Sequence, residues 1–528
     1  MAAAVMAMAA NATDYKADLS VTMAGMPLGT QPSTISVTEQ GDGKYTLALN
    51  NFKLDGIGAV GNIVLSDVEG TADNNGKTRL STSQTINITA GDDPSVGEKE
   101  WLGPKLGDVP VSVNADMTDD NLYAVIKIDG FGGIDVVFGD GGYQLPNSGF
   151  ENFHTATYVD GTTEYTSQEP NIWHSFNSGV ATGDLAFLTK AALQHGSTSV
   201  SEDVRESHST STPNGTFGTK CVKLTSAKVM GVAANGTMTT GRLQAGSIIA
   251  TDAANCSFFD MTSTDVDGNG DPFYTLFNSK PDALSVWVKF KQGQDLGEYK
   301  YATVSAVITD DTYYQDPEDK EYSNIVAKAQ NKTIESNGFV WQQLTIPFDY
   351  DTYASNNVEP KAILITISTN ATPGKGSKDD NNPDELYVDD IAFIYNAGLE
   401  SLTIKGSEVT LEDGKTSYEI SNLTGELTLD DIVAVSDGQG AYVTKAIETT
   451  DDGATVTITV TSNDYQTVNT WTINVPGVST GIEKVETTTE NGVQAIYTLD
   501  GRKVGSMNSK GVYIVRKADG TTVKVLKK

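Results

Sequence analysis

Residues 284–290 read Leu284-Ser285-Val286-Trp287-Val288-Lys289-Phe290. Leu284, Val286, Val288 and Phe290 recur at the period of two that an extended chain imposes, so they share one face and leave Ser285, Trp287 and Lys289 on the other. The next apolar run repeats the pattern: Ala302, Val304, Ala306 and Ile308 alternate, with Tyr299 and Tyr301 opposite. Both runs are strands, and no helical period appears elsewhere.

The composition agrees. The chain is rich in Thr, Asn, Asp, Gly and Val, and its 51 Gly and 16 Pro punctuate short apolar runs, as in chains built from strands and turns. At 528 residues it is too long for a single core and divides into about three or four units. From Tyr15 to about Phe138 short strands follow one another: Ser20–Met23, Ser33–Val37, Tyr45–Leu49, Ile63–Leu65, Thr85–Thr89, Val109–Val113 and Leu122–Ile128. Strands of this length in unbroken succession predict a closed up-and-down barrel or a sandwich.

The phrasing Tyr45-Thr46-Leu47-Ala48-Leu49-Asn50-Asn51-Phe52, followed by Ile57-Gly58-Ala59-Val60-Gly61-Asn62-Ile63, resembles the calycin-like domains of exported Bacteroidetes proteins. The resemblance implies a small lipocalin-type barrel over 13–140 whose interior holds a ligand or only its own side chains. Residues 141–397 open with Leu145-Pro146-Asn147-Ser148-Gly149-Phe150-Glu151-Asn152-Phe153 and close with Leu386-Tyr387-Val388-Asp389-Asp390-Ile391-Ala392-Phe393-Ile394-Tyr395. With Trp173-His174-Ser175-Phe176-Asn177-Ser178-Gly179 between them, these ends resemble the carbohydrate metabolism domain of Bacteroides and Prevotella proteins, which implies a jelly-roll β-sandwich. Residues 398–477 resemble an immunoglobulin-like spacer sandwich. Residues 478–528, from Thr480-Gly481-Ile482-Glu483 through Gly511-Val512-Tyr513-Ile514-Val515, are similar to C-terminal sorting domains of the type IX secretion route. A lysine-rich end (Lys517, Lys524, Lys527, Lys528) sets this last module apart. The expected architecture is therefore all-β and multidomain: barrel, jelly roll, immunoglobulin-like sandwich and small C-terminal β module.

Against 36 basic residues stand 69 acidic ones, a formal charge of −33, which repels nucleic-acid phosphates and anionic membranes but not neutral glycans or cations. Residues 1–12 resemble the apolar and cleavage regions of a secretory signal without its charged start. That resemblance implies a secreted or cell-surface protein, with attachment through the C-terminal module. No apolar run reaches the ~20 residues that span a bilayer. Cys221 and Cys256 are too few for a disulfide framework, and they either pair or serve as buried thiols.

Several clusters carry possible chemistry. In a jelly roll the first and last strands pair, which brings Glu151 towards Asp389 and Asp390. The family resemblance implies a structural Ca²⁺ at this corner. Asp265-Val266-Asp267-Gly268-Asn269-Gly270-Asp271 opens like a calcium-binding EF loop, with oxygens from Asp265, Asp267, Asn269 and Asp271, but Leu276 stands where a bidentate Glu belongs. The alternatives are turn caps and a polar turn. Sugar recognition needs flat aromatic faces flanked by amides and carboxylates. Trp287 with Tyr301 forms such a platform if their strands are neighbours; if another sheet covers that face, Trp287 is core. Trp173 with His174 and Asn177, and Tyr313 with Tyr314, are loop candidates, whereas Trp341 reads as a core strand residue. None of the four histidines has metal-ligand spacing, and Gly477-Val478-Ser479-Thr480-Gly481 matches a nucleophile elbow but sits after Pro476 in a linker. The expected function is glycan binding, with oligo- or polysaccharide as partner. The rivals are a two-carboxylate glycoside hydrolase and an adhesin-like structural protein.

Overall fold

The computed structural model describes residues 12–23, 26–54, 56–72, 77–129, 133–139, 142–160, 162–189, 193, 198–204, 218–480, 493–498, 503–504, 511–517 and 522–527. The signal-like residues 1–11, His195, His208 and the 481–492 stretch lie outside them. The chain forms two compact units. One holds the residues up to Ala397 together with Gly438–Ala441 and Thr461–Thr467; the other holds Gly398–Asp437, Tyr442–Val460 and Val468–Lys528.

Eight strands open the first unit: β1 (Ala12–Met23), β2 (Met26–Gly41), β3 (Lys44–Leu54), β4 (Gly58–Ala72), β5 (Thr78–Asn87), β6 (Asp108–Met117), β7 (Leu122–Ile128) and β8 (Ile134–Phe138). Each pairs antiparallel with the next, and β8 returns to β1 with Phe138 opposite Leu19, so the sheet closes and leaves no edge. Leu19, Val21, Ile35, Leu47, Leu65, Leu80, Val111 and Phe138 fill the interior from alternate positions. The strands outrun the apolar cores that mark them in the sequence; β2 continues for 16 residues because the ladder needs only backbone groups. Gly61, at φ +131°, lets β4 meet the chain at Thr89: a Cβ there would lie 2.1 Å from the Thr89 carbonyl oxygen.

The rest of this unit is built from β9 (Phe153–Asp160), β10 (Thr163–Pro170), β11 (Val180–Ala181), β12 (Thr198–Ser201), β13 (Cys221–Thr225), β14 (Ala227–Val229), β15 (Val232–Ala234), β16 (Thr237–Thr239) and β17 (Arg242–Ala245). It continues through β18 (Cys256–Phe259), β19 (Ala283–Lys291), β20 (Ala302–Thr309), β21 (Tyr314–Asp316), β22 (Ile325–Ile334), β23 (Gln342–Pro347), β24 (Ala362–Ser368) and β25 (Glu385–Ile394). One sheet has the order β12-β13-β25-β19-β23, a second β16-β24-β20-β22, and a third β11-β17-β18-β21. The opening and closing segments lie side by side. The Ile391 N–H donates to the Ser148 carbonyl at 2.9 Å, and Gln144 exchanges two 2.8 Å bonds with the backbone of Phe393.

Alternation gives β20 and β24 two different faces. Val304, Ala306, Ile308, Ile363, Ile365 and Ile367 are buried on one. On the other, Val307, Ala362 and Leu364 pack against Phe259 of β18 and Tyr314 of β21, so the third sheet covers part of the second. This third layer is what the two-layered expectation lacked.

The second unit contains β26 (Leu399–Ile404), β27 (Ser407–Glu408), β28 (Ser417–Glu419), β29 (Gly425–Leu427), β30 (Ile432–Ser436), β31 (Tyr442–Thr449), β32 (Gly453–Thr461), β33 (Val468–Pro476) and β34 (Val478–Thr480). They form sheets β27-β26-β30 and β28-β33-β32-β31 with a β29-β34 pair, around Leu402, Ile404, Val456, Ile458 and Ile473. Last come β35 (Val493–Thr498), β36 (Lys503–Val504), β37 (Gly511–Lys517) and β38 (Thr522–Lys527), in the order β36-β35-β37-β38.

Cys221 and Cys256 are both buried and unpaired, on strands of different sheets. Burial pushes each thiol up to about 12, and the thiolate is the reactive form. Neither cysteine should react with a disulfide reagent in the native protein at mildly alkaline pH. Unfolding in denaturant should release both, as a thiol titration will show.

Candidate functional site

Along the face of the second sheet that carries Val307 and Leu364, the side chains change from apolar to hydroxylic. Thr303 and Ser305 follow the same alternation as Val307, and Thr366 and Ser368 that of Leu364, so all four share one face with Thr237 of β16. This row lines a cleft of about 520 Å³ together with Asn235, Gln244, Asn255, Asn370, Asp316 and Lys332. Apart from Ser247 and Ser257, most of the rest of the lining is apolar and includes Phe176, Leu185, Leu188, Val232 and the exposed Met230 and Ile248. Ser305 donates to Asp316 Oδ2 at 2.8 Å, and the Thr237 and Ser368 hydroxyls bond each other at 3.0 Å. A floor of hydroxyls and amides beside one aromatic ring suits a ligand that is apolar on one side and hydroxylated on the other.

The barrel offers a different cavity, of about 220 Å³, lined by Leu, Val, Ile, Met, Ala and Phe alone, among them Leu28, Phe52, Leu54, Ile86 and Ile126. A sugar buried there would lose its hydrogen bonds to water and gain none. An acyl chain or another apolar group would lose nothing.

The aromatic candidates fall elsewhere. Trp287 lies on β19 in the five-stranded sheet, whereas Tyr301 precedes β20 in a different sheet, so the two form no common platform. Trp173 and Tyr314 are wholly buried: Trp173 stands edge-on to Phe150 at 5.3 Å, and Tyr314 bonds Glu318 at 3.0 Å. His174 and Asn177 are buried too. Their segment pairs with β16 through His174 and Thr239, and Phe176 is the ring it presents to the cleft. Tyr313 is exposed but lies outside the cleft, against Phe258 and bonded to Gln315. Trp341 is half-buried, edge-on to Tyr387 and within 6.0 Å of the Lys289 ammonium.

The expected calcium residues separate as well. Gly149 and Asp390 are neighbours, but Glu151 turns to Thr219 and Lys220, accepting two N–H bonds and a hydroxyl. Asp389 is wholly buried and accepts the Asp390 N–H. Among the described residues, Glu151, Asp389 and Asp390 form no group of three ligand atoms within 4.8 Å. In the 265–271 loop Asp265 pairs with Arg242 at 2.9 Å, and the Asn269 amide donates to Asp271. Of the loop's expected ligands, Asp267 and Asp271 come together, and they do so with His154 rather than with Asp265 or Asn269. Ser479, in the elbow-like string, is a strand residue of β34 paired with Glu426.

Asp267 instead turns inward, to a cluster that spacing concealed. The β9–β10 hairpin sets His154 directly opposite Glu169. Their Nε2 and Oε2 atoms are 3.7 Å apart, and Asp267 Oδ2 lies 3.4 Å from His154 Nε2 and 3.5 Å from His174 Nε2. All four of these atoms are buried without a hydrogen bond, a state that costs about 1–3 kcal/mol per group. Burial pushes the Glu169 carboxyl up from its ordinary value, and His174 draws it part of the way back. The Asp160-Gly161-Thr162-Thr163 stretch was the available signal, since pairing Asp160 with Thr163 across it places 154 opposite 169.

These features define an all-β protein headed by a closed barrel and carrying a layered body with a polar cleft. Residues 12–139 match the calycin-like β-barrel domain. A candidate glycoside hydrolase from Bacteroides vulgatus ATCC 8482 is similar at 16% identity, over 48% of this chain and 97% of that one, with a TM-score of 0.29. A candidate outer membrane protein from Bacteroides fragilis NCTC 9343 is similar at 14% identity, over 24% of this chain and 49% of that one, with a TM-score of 0.19. Neither likeness, at such a TM-score, defines the fold of this chain. No curated protein matches it.

Because Trp173 is core, Trp173→Ala should destabilise the protein by about 3–5 kcal/mol, read as a lower urea midpoint. An exposed binding residue would leave that midpoint in place.

Proposed function

We propose that the protein is an exported or surface-held glycan-binding protein whose sugar site is the hydroxyl-lined cleft of residues 142–397. The observation that carries this reading is the switch to Thr237, Thr303, Ser305, Thr366 and Ser368 on one face, next to Phe176. Hydroxyls and amides exchange hydrogen bonds with sugar hydroxyls, and the ring of Phe176 takes the C–H face of a pyranose. The net charge of −33 favours neutral oligo- or polysaccharides over polyanions. A glycosidase of the usual kind needs two carboxylates across the bond, and the described lining of the cleft includes a single one, Asp316. Binding without cleavage is therefore the favoured activity. In this reading the immunoglobulin-like part is a spacer and the C-terminal module serves export or attachment.

Affinity electrophoresis of the full chain through neutral and acidic polysaccharides, with a reducing-sugar assay alongside, tests the reading. At least one neutral polysaccharide should retard the protein without release of reducing ends. Phe176→Ala should weaken binding at least about tenfold, or ~1.4 kcal/mol. Thr303→Trp should block the cleft, and Trp287→Ala should bind as the parent does. Retardation by no glycan, or full binding by both cleft variants, overturns the assignment, and release of reducing ends replaces it with hydrolysis.

A further inference from the structure

A sugar alone leaves part of the cleft unused. A pyranose turns one C–H face to a ring, and Phe176 meets that need. The cleft is also lined by Leu185, Leu188, Val229, Met230, Val232 and Ile248. Met230 and Ile248 are 68% and 62% exposed, so most of their apolar surface stands in water until a ligand covers it.

These side chains gather at one place. The hairpin of β14 and β15 turns at Met230-Gly231, with Val229 paired to Val232. A Cβ on Gly374 would lie 2.4 Å from the Ala250 Cβ and 3.6 Å from Val232 Cγ1, so the hairpin, the 247–250 loop and the 373–374 turn meet. The hairpin runs through Asn235 into Thr237, and β24 runs from Ser368 towards Gly374, while Thr237 and Ser368 pair across their strands. The apolar lip therefore begins where the row of hydroxyls ends.

Both arms of the lip are shaped before a ligand arrives. Asn255 pins the loop: its Oδ1 accepts the Gly246 and Ser247 N–H groups at 2.9 and 3.0 Å, and its amide donates to the Ser247 and Ile249 carbonyls at 3.0 and 2.9 Å. At the hairpin tip Met230 and Gly231 both have positive φ, +51° and +84°. In such a turn Asn or Asp before Gly is the unstrained choice. Methionine holds this left-handed backbone against its own preference and gains no burial in exchange. What it supplies is an unbranched, polarizable side chain in the lining of the cleft, suited to apolar ligands of variable shape.

We propose that the cleft takes a glycoside bearing an aliphatic chain, with the sugar on the hydroxyl row and the first methylenes across the lip of Met230, Val232 and Ile248. The inference rests on the glycan reading of the same cleft and narrows it to amphiphilic glycosides. Among the described lining residues Phe176 is the only ring. A longer glycan thus finds no second face to stack on, whereas a methylene chain finds apolar contact along the lip.

Calorimetric titration of the full chain with matched methyl and n-octyl pyranosides of glucose, galactose and mannose, each below its micelle concentration, tests this. A buried methylene is worth about fourfold in affinity, so covering about two of those that octyl adds makes the octyl form about tenfold tighter. That gain should appear for at least one sugar, and the octyl glycoside should also bind more tightly than 1-octanol, which lacks the sugar. Met230→Asn, whose new side chain suits the turn, should keep or raise the melting temperature while removing most of the octyl gain. Ile248→Ser should remove it too, and both variants should still be retarded by neutral polysaccharide. If polysaccharide retards the protein but the octyl forms gain nothing, this inference is overturned and the glycan reading stands; binding of neither overturns both. An octyl gain that survives in both variants assigns the chain to another site, such as the barrel cavity, and overturns the lip. So does a dimer in sedimentation equilibrium that either variant converts to a monomer. Where the gain holds, cosedimentation with phosphatidylcholine vesicles carrying a glycosylceramide identifies a membrane glycolipid as the source, and its absence a dissolved glycoside.

Discussion

Every buried backbone group of the central strand β25 has to find a partner, and the arrangement of the large body follows from that demand. On one side β19 runs along the strand, interrupted by a bulge between the Ser285–Ala392 and Trp287–Asp389 pairs. On the other side β13 covers only Glu385 to Val388. Past that point the 143–148 segment completes the ladder. Gln144 uses its side-chain amide as if it were a peptide unit, giving and receiving one bond with Phe393. The chain entering the body is thereby fixed beside the chain leaving it. Tyr395, wholly enclosed, seals the junction by donating to the Tyr143 carbonyl while bonding Ser279.

The same rule explains why polar residues lie deep in this unit without loosening it. Asp116 of the barrel is buried, yet it receives the hydroxyls of Tyr143 and Tyr465 and the ammonium of Lys77. Three donors to one carboxylate leave little of its charge uncompensated. Asp384 likewise takes the N–H groups of Gly293 and Ser377. Against these saturated carboxylates the four unbonded atoms around Asp267 are an exception within the same interior.

Period-two alternation made much of the fold legible. It marked most of the barrel strands and the apolar face of β19, and it put Trp287 on the face with Ser285 and Lys289. Alternation says nothing about which strands become neighbours, and there the reading of Trp287 with Tyr301 gave way: their strands diverge into separate sheets. In the segment around Trp173, burial inverted the expected roles. The largest ring and the histidine went inside, and Phe176 reached the cleft. The 265–271 loop was read for its own oxygens, as if it wrapped an ion by itself. Its backbone bonds instead turn Asp267 towards histidines about 90 and 110 positions earlier, a convergence set by tertiary contacts beyond the reach of spacing rules.

The cleft and the buried cluster are joined by a single short stretch of chain. His174 points into the cluster, Ser175 holds Glu169, and Phe176 lines the cleft. A ring that stacks on a ligand contributes affinity in proportion to how well it is held before the ligand arrives, because any freedom lost on binding counts against the contact. The two backbone bonds that His174 exchanges with Thr239 anchor the chain two residues from that ring. That anchor acts on the affinity for any ligand of the cleft without touching it, through the order it imposes on the segment from Trp173 to Asn177.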